Sequence, residues 1–143
     1  RRWRTAQPPA EAWRWMNLNG NKGFHEKAAD LTWTPLYSRV DGTVHGEDAT
    51  LIKVGNSEWR AVESELEVSG AGRIGLRLND PAGLQVFVAG KELPAAAEMQ
   101  IEAPAGRVKV TLLFDTTVRR TPVKMQAFDL PGSPAKTKTV RGI

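Results

Sequence analysis

W-R-A-V-E-S-E-L-E-V-S (Trp59–Ser69) is the stretch that decides the fold. Its even positions Val62, Ser64, Leu66 and Val68 face one way, and Glu63, Glu65 and Glu67 face the other. A period of two is that of a β-strand with one buried face and one wet face. The rhythm continues to Asp129, cut by glycine or proline turns about every eight to twelve residues, which predicts an antiparallel β-sandwich. Working forward, Ser69-Gly70-Ala71-Gly72 turns the chain, and Ile74, Leu76 and Leu78 point inward against Arg73, Arg77 and Asn79. Opposite charges on adjacent outer faces are expected to pair across strands, at about 0.2–1 kcal/mol each.

Asp80-Pro81-Ala82-Gly83 is a second turn, with proline early and glycine late. Leu84, Val86 and Val88 resume the inward set, with Gln85, Phe87 and Ala89 outside, and Gly90-Lys91 makes a tight hairpin. Met99, Ile101 and Ala103 form one further inward face, and Val108, Val110, Leu112 and Phe114 another. The last strand puts Val123, Met125 and Ala127 inside and Phe128 outside. The expected architecture is all-β, a jelly-roll or immunoglobulin-like sandwich of about seven to nine strands.

Working backward from Trp59, Ala49 to Val54 reads as a short strand and Val44 to Asp48 as a polar loop. L-T-W-T-P-L-Y-S-R-V (Leu31–Val40) is aromatic and β-prone, but Pro35 demotes it to an edge strand or to two pieces. Arg1 to Asp30 has no sustained period. Three regions follow: an aromatic, basic leader over 1–32, the sandwich over 33–129, and a tail over 130–143 with too little apolar material to order itself.

Charge and cysteine content narrow the function. Residues 1–15 carry four basic and one acidic side chain, residues 16–118 ten and fourteen, and residues 119–143 six and one. The net +4 therefore belongs to the two ends, and the body is mildly acidic. Nucleic-acid binding wants a basic face interleaved with stacking aromatics, so nucleic acid is not an expected partner. There is no cysteine, which removes disulfides, thiolate zinc sites, covalent haem attachment and a cysteine nucleophile. No apolar run is long enough for a membrane span or signal peptide, and the chain reads as part of a longer precursor or multidomain protein.

Catalytic chemistry is not expected. No G-x-S-x-G elbow occurs, both histidines lie in loop-like segments, and the glutamate row is a strand face. His45-Gly46-Glu47-Asp48 gathers three candidate metal ligands and His25-Glu26 a further pair, but the plainer reading is a solvated loop. No cofactor and no metal are expected. The remaining signal is aromatic: all five tryptophans lie at or before Trp59. Trp3, Trp13, Arg14, Trp15, Trp33 and Tyr37 are the candidate partner- or ligand-binding residues, with Asn17, Asn19 and Asp41 as polar neighbours. Tryptophan beside arginine, as in R-R-W-R and W-R-W, is the composition of interface anchors. Flat rings could instead form a platform for sugars. The plainer alternative puts Trp33 and Trp59 in the core and has Trp13 and Trp15 fasten the leader to the sheet.

Four stretches carry a resemblance: W-T-P-L-Y-S-R-V-D-G (Trp33–Gly42), E-L-E-V running to S-G-A-G-R-I-G-L-R-L (Glu65–Leu78), D-P-A-G-L-Q-V-F-V-A-G-K (Asp80–Lys91) and I-E-A-P-A-G-R-V-K-V-T-L (Ile101–Leu112). Their order resembles the β-sandwich domains attached to large exported proteins of planctomycetes and verrucomicrobia. Those proteins combine haem-binding modules, dehydrogenase-like propellers and helical repeats. Phe87 stands where that pattern often has tryptophan, and Ala89 where it has aspartate before the hairpin glycine. The resemblance, from Trp33 to Asp129, implies a non-catalytic structural or interaction module of an exported bacterial assembly, periplasmic or extracellular, with neighbouring domains or a protein as partner. The alternative is a carbohydrate-binding module with a tryptophan platform.

Overall fold

The computed structural model describes residues 2–7, 32–40, 42–49, 51–54, 57–89, 91–116, 118–119 and 121–139. Among the described residues eleven strands run in chain order: β1 (Arg2–Gln7), β2 (Thr32–Tyr37), β3 (Leu51–Val54), β4 (Ser57–Ser69), β5 (Gly72–Leu78), β6 (Leu84–Val88), β7 (Lys91–Leu93), β8 (Glu98–Ala103), β9 (Gly106–Asp115), β10 (Met125–Asp129) and β11 (Lys136–Thr139). A 3-10 turn at Gly46–Asp48 precedes β3, and the described residues contain no α-helix. All pairing is antiparallel, in a large sheet of eight strands and a small sheet ordered β10-β5-β8. The all-β sandwich expected from the alternation is the fold.

β4 is the spine of the large sheet. One side pairs with β9 from Trp59 to Val68. The other side is shared by three short strands in succession: β3 against Ser57–Arg60, β1 against Val62 and Glu63, and β11 against Leu66–Ser69. β2 extends the sheet beyond β1, while β6 and β7 extend it beyond β9. The strand count exceeds seven to nine because short pieces from both ends of the chain are drawn onto β4. The tail, expected to lack order, supplies β11, anchored by the fully buried Ala135. Its few apolar atoms suffice because β4 offers a ready-made ladder of backbone partners.

The core fills the space between the sheets. Val62, Leu66 and Val68 of β4, Val86 of β6 and Val110 and Leu112 of β9 face Ile74, Leu76 and Leu78 of β5, Met99 and Ile101 of β8, and Met125 of β10. These are the residues the alternation points inward, each worth about 1.5–3 kcal/mol when fully buried. One aromatic joins them unexpectedly: Trp3 of β1 is 1% exposed and lies in this cluster.

Two outward positions differ from expectation. Phe87 is only 4% exposed, buried like Leu113 and Ala61. Glu63, read as part of a wet row, is 5% exposed and bridged to Arg4, which lies opposite it on β1. Period-two alternation tells which side a residue points to, not whether that side is wet. The large sheet is apolar on both faces at its centre, as strands buried on two sides are. Glu65 is half-buried and only Glu67 is fully on the surface.

The turn at Ser69–Gly72 does not join neighbouring strands, but carries the chain from the large sheet to the small one. Arg73 and Arg77 therefore pair with Glu102 and Glu98 of β8, each at 3.0 Å, rather than with the β4 glutamates. Gly75 lies opposite Phe128, whose ring rests on it; a Cβ there would stand 2.2 Å from the ring. Arg77 covers the same ring at 4.7 Å. The glycine makes the space that lets an outward phenylalanine pack.

Candidate functional site

Two places on this frame gather polar or aromatic side chains. The first is a cleft of about 680 Å³ at the end of the sandwich where β4 begins and β9 ends. His45, Glu47, Glu58, Arg60, Thr116 and Arg119 line it, with Phe114 and Pro122 as apolar wall.

Arg119 is 6% exposed and spends all its donors on the protein. Nε donates to Thr121 O at 2.8 Å; Nη1 donates to Asp80 O and, at 2.8 Å, to Ala82 O. Nη2 donates to Pro122 O at 3.1 Å and to Asn79 Oδ1 at 3.5 Å. A guanidinium has five N–H groups, and these five acceptors use them all. Burial pulls its pKa down, and the charge of Asp80 works in the other direction. An arginine keeps its proton at neutral pH, so the side chain is a cationic clamp on five oxygens. It ties the turn between β5 and β6 to the segment entering β10. Gly83, with φ +69°, lets the Arg119 backbone approach, since a Cβ there would lie 2.8 Å from the Arg119 Cβ.

Arg60 and Glu47 of the cleft are similarly engaged. Arg60 Nη1 donates to Ala49 O. Arg39 binds Glu47 at 2.8 Å and Asp48 at 3.3 Å, so both carboxylates of the His45–Asp48 loop turn to one guanidinium. His45 Nδ1 stands 3.8 Å from Glu47 Oε1, beyond hydrogen-bond reach. Among the described residues, no group of three histidine, aspartate or glutamate side chains could hold a metal ion. His25 and Glu26 lie outside the described residues.

The second place is the outward face of β2. Arg4 lies opposite both Pro35 and Glu63, and cross-strand partners share a face. Trp33, Pro35 and Tyr37, alternating along β2, therefore make an outward row beside Arg4. Trp33 to Tyr37 spans about 13 Å at the usual strand rise. Tyr37 is 55% exposed, Pro35 is exposed and Trp33 is half-buried, with the Arg4 guanidinium 5.7 Å from its ring centre. β2 is an edge strand, as Pro35 requires: a proline is accommodated where its missing N–H would face away from the sheet.

Of the residues singled out from the sequence, Trp33 and Tyr37 thus come together. Trp3 does not join them. It faces the core, its indole N–H has no acceptor among the described residues, and it presents no surface to a partner. The core reading fails for Trp33 and Trp59, both half-buried at outward positions. Trp13, Arg14, Trp15, Asn17, Asn19 and Asp41 lie outside the described residues. Arg119 and the Arg4–Glu63 bridge were not singled out from the sequence. Arg119 reaches acceptors up to 40 residues away, and no local pattern marks such a contact.

No helix among the described residues is long and apolar enough to cross a membrane. No family model matches the sequence, and no curated protein matches it.

Proposed function

We propose that the chain is a non-catalytic structural or interaction module of an exported bacterial multidomain protein or complex, binding a protein partner or neighbouring domain. The observation that carries this reading is the Trp33–Pro35–Tyr37 row on an edge strand beside Arg4. Tryptophan, tyrosine and arginine are the residues that dominate interface energetics. The end cleft is the weaker candidate, because Arg119 has no donor left for a ligand and Arg39 occupies the carboxylates of the adjacent loop. The exported bacterial setting rests on the resemblance over Trp33 to Asp129.

A carbohydrate-binding module is the second reading, favoured by two aromatic rings on one sheet face. The two readings part at Trp33. A sugar stacks on an open ring face, whereas the Arg4 guanidinium stands over this one. The test is the mass of the assembly containing this chain, isolated from its source with and without Trp33→Ala and Tyr37→Ala, beside a glycan array. The expected result is a heavy assembly that the double variant releases, with no glycan signal. A monomer without partners would sink the interaction reading, and glycan binding lost in the double variant would replace it with the second.

A further inference from the structure

Among the described residues six strands have one partner strand each, β2, β3, β7 and β11 in the large sheet and β8 and β10 in the small one, and they are not equally guarded. β3 and β11 are four residues long. β2 carries Pro35 at its middle, and β7 is three residues long. β10 is met on its outer edge by Val44, which bridges Val123, and by Thr137 of β11, bound to Asp129. Proline, shortness and cover are the usual ways of blunting a sheet edge. Charge is a further device, and it is the one β8 has among the described residues: six regular residues, E-M-Q-I-E-A, with two exposed glutamates and without proline, glycine or lysine.

The register fixes what that edge shows. Leu78 N donates to Ala97 O, and antiparallel pairs alternate between bonded and non-bonded. Ala97, Met99, Ile101 and Ala103 therefore turn their backbone groups to β5. Glu98, Gln100 and Glu102 turn theirs to the open edge, and their side chains are exposed. Each glutamate meets an arginine on the β5 side, Arg77 for Glu98 and Arg73 for Glu102, and none among the described residues on the other.

The molecule shows how a strand of this kind is completed. β4 also carries alternating outward glutamates, with a basic residue opposite each on at least one side and opposite Glu67 on both. On the β9 side, Lys109 lies opposite Glu65 and Arg107 opposite Glu67. On the other side, Arg4 of β1 lies opposite Glu63 and Lys138 of β11 opposite Glu67. β8 repeats this arrangement with only one side filled.

We infer that the open edge of β8 is a strand-addition site for an extended basic segment of a partner protein, antiparallel to β8, with lysine or arginine opposite Glu98 and Glu102. A second copy of β8 is the wrong occupant. Centred on Gln100, it would set Glu98 against Glu102 of the other copy, and like charges directly opposite repel. The site is separate from the β2 row and does not depend on it.

The probe is a seven-residue blocked peptide with lysine at its second and sixth positions, valine at the third and fifth, and threonine elsewhere. Its control has glutamate for lysine. Amide chemical shifts of the full chain should change along Glu98–Ala103 with the basic peptide, and the control should bind at least about tenfold more weakly. Gln100→Pro, which copies the device of β2 while sparing the β5 pairing, should abolish the shifts. Should that variant not fold, the double charge reversal E98K/E102K serves instead and should exchange the preference, binding the acidic peptide. Shifts elsewhere than β8, equal binding of both peptides, binding that survives Gln100→Pro, or β8-centred dimers of the free protein would each overturn the inference.

Discussion

β4 and β8 carry almost the same local pattern and lead different lives. Both alternate apolar and acidic or amide side chains: Val62, Leu66 and Val68 against Glu63, Glu65 and Glu67 in one, Met99 and Ile101 against Glu98, Gln100 and Glu102 in the other. β4 is held on both sides by four strands, whereas β8 is held by β5 alone among the described residues. Glu63 of β4 is consequently buried and bridged to Arg4, while both glutamates of β8 stay exposed with their arginines. Alternation assigns faces. The number of neighbouring strands assigns burial, and burial sets what a charge is worth.

The largest effect is expected where the two sheets are tied together. Arg119→Ala should lower stability by about 3 kcal/mol, because five acceptors lose their donors in a buried place. Arg119→Lys should recover little, an ammonium having only three N–H groups. Thermal and urea melts of both variants check this; full recovery by lysine would show that charge alone matters there. The next prediction sets β4 directly against β8. Arg4→Ala leaves Glu63 buried without its partner and should cost about 2 kcal/mol, a discounted value since Arg4 is itself one-third exposed. Arg77→Ala exposes Glu98 to water that already reaches it, and should cost under about 1 kcal/mol in charge terms. Equal losses would erase the distinction between the two strands.

Gly75→Ala should cost about 1–2 kcal/mol by driving the new methyl group into the Phe128 ring. A double-mutant cycle with Phe128→Ala should return a large coupling, since the clash vanishes with the ring. The smallest effect concerns the end of the chain. Asp129 accepts hydrogen bonds from Thr137 N at 2.7 Å and Thr137 Oγ1 at 3.1 Å. The backbone bond is the main cause holding its carboxyl below the ordinary aspartate value of 3.8; slight burial opposes it, and the Oγ1 bond and Lys136 add to it. With the folded pKa depressed, the contribution is present above the unfolded value and is lost as pH falls through the folded one. Acidification from pH 5 to below 3.8 should therefore loosen β11 before the core, seen as movement of the Thr137 amide resonance while the core resonances hold. Asp129→Asn should remove that pH dependence.

The inward residues were legible because burial and strand geometry impose the same period of two. Pro35 likewise marked β2 as an edge strand or two short pieces, since a proline cannot donate into a ladder from its middle, and β2 is one edge strand. Other features were not legible. Phe87 and Glu63 sit at outward positions that the fold buries. Trp3 reaches the core from a segment without period, and β11 is ordered by a partner nearly 70 residues earlier. Of the candidate site, Trp33 and Tyr37 were visible as an aromatic pair, but their shared face with Arg4 depends on the pairing of β1 with both β2 and β4.

By itself, then, the amino-acid sequence determined the strands from β2 to β10, most of their inward faces and the sandwich, because these follow from local periodicity and turn chemistry. The tertiary structure alone decided which strands are neighbours: that Ser69–Gly72 crosses between sheets, that β1 and β11 both lie on β4, and that β8 pairs with β5 alone among the described residues. Those outcomes depend on contacts between residues distant in the chain, which no local period encodes.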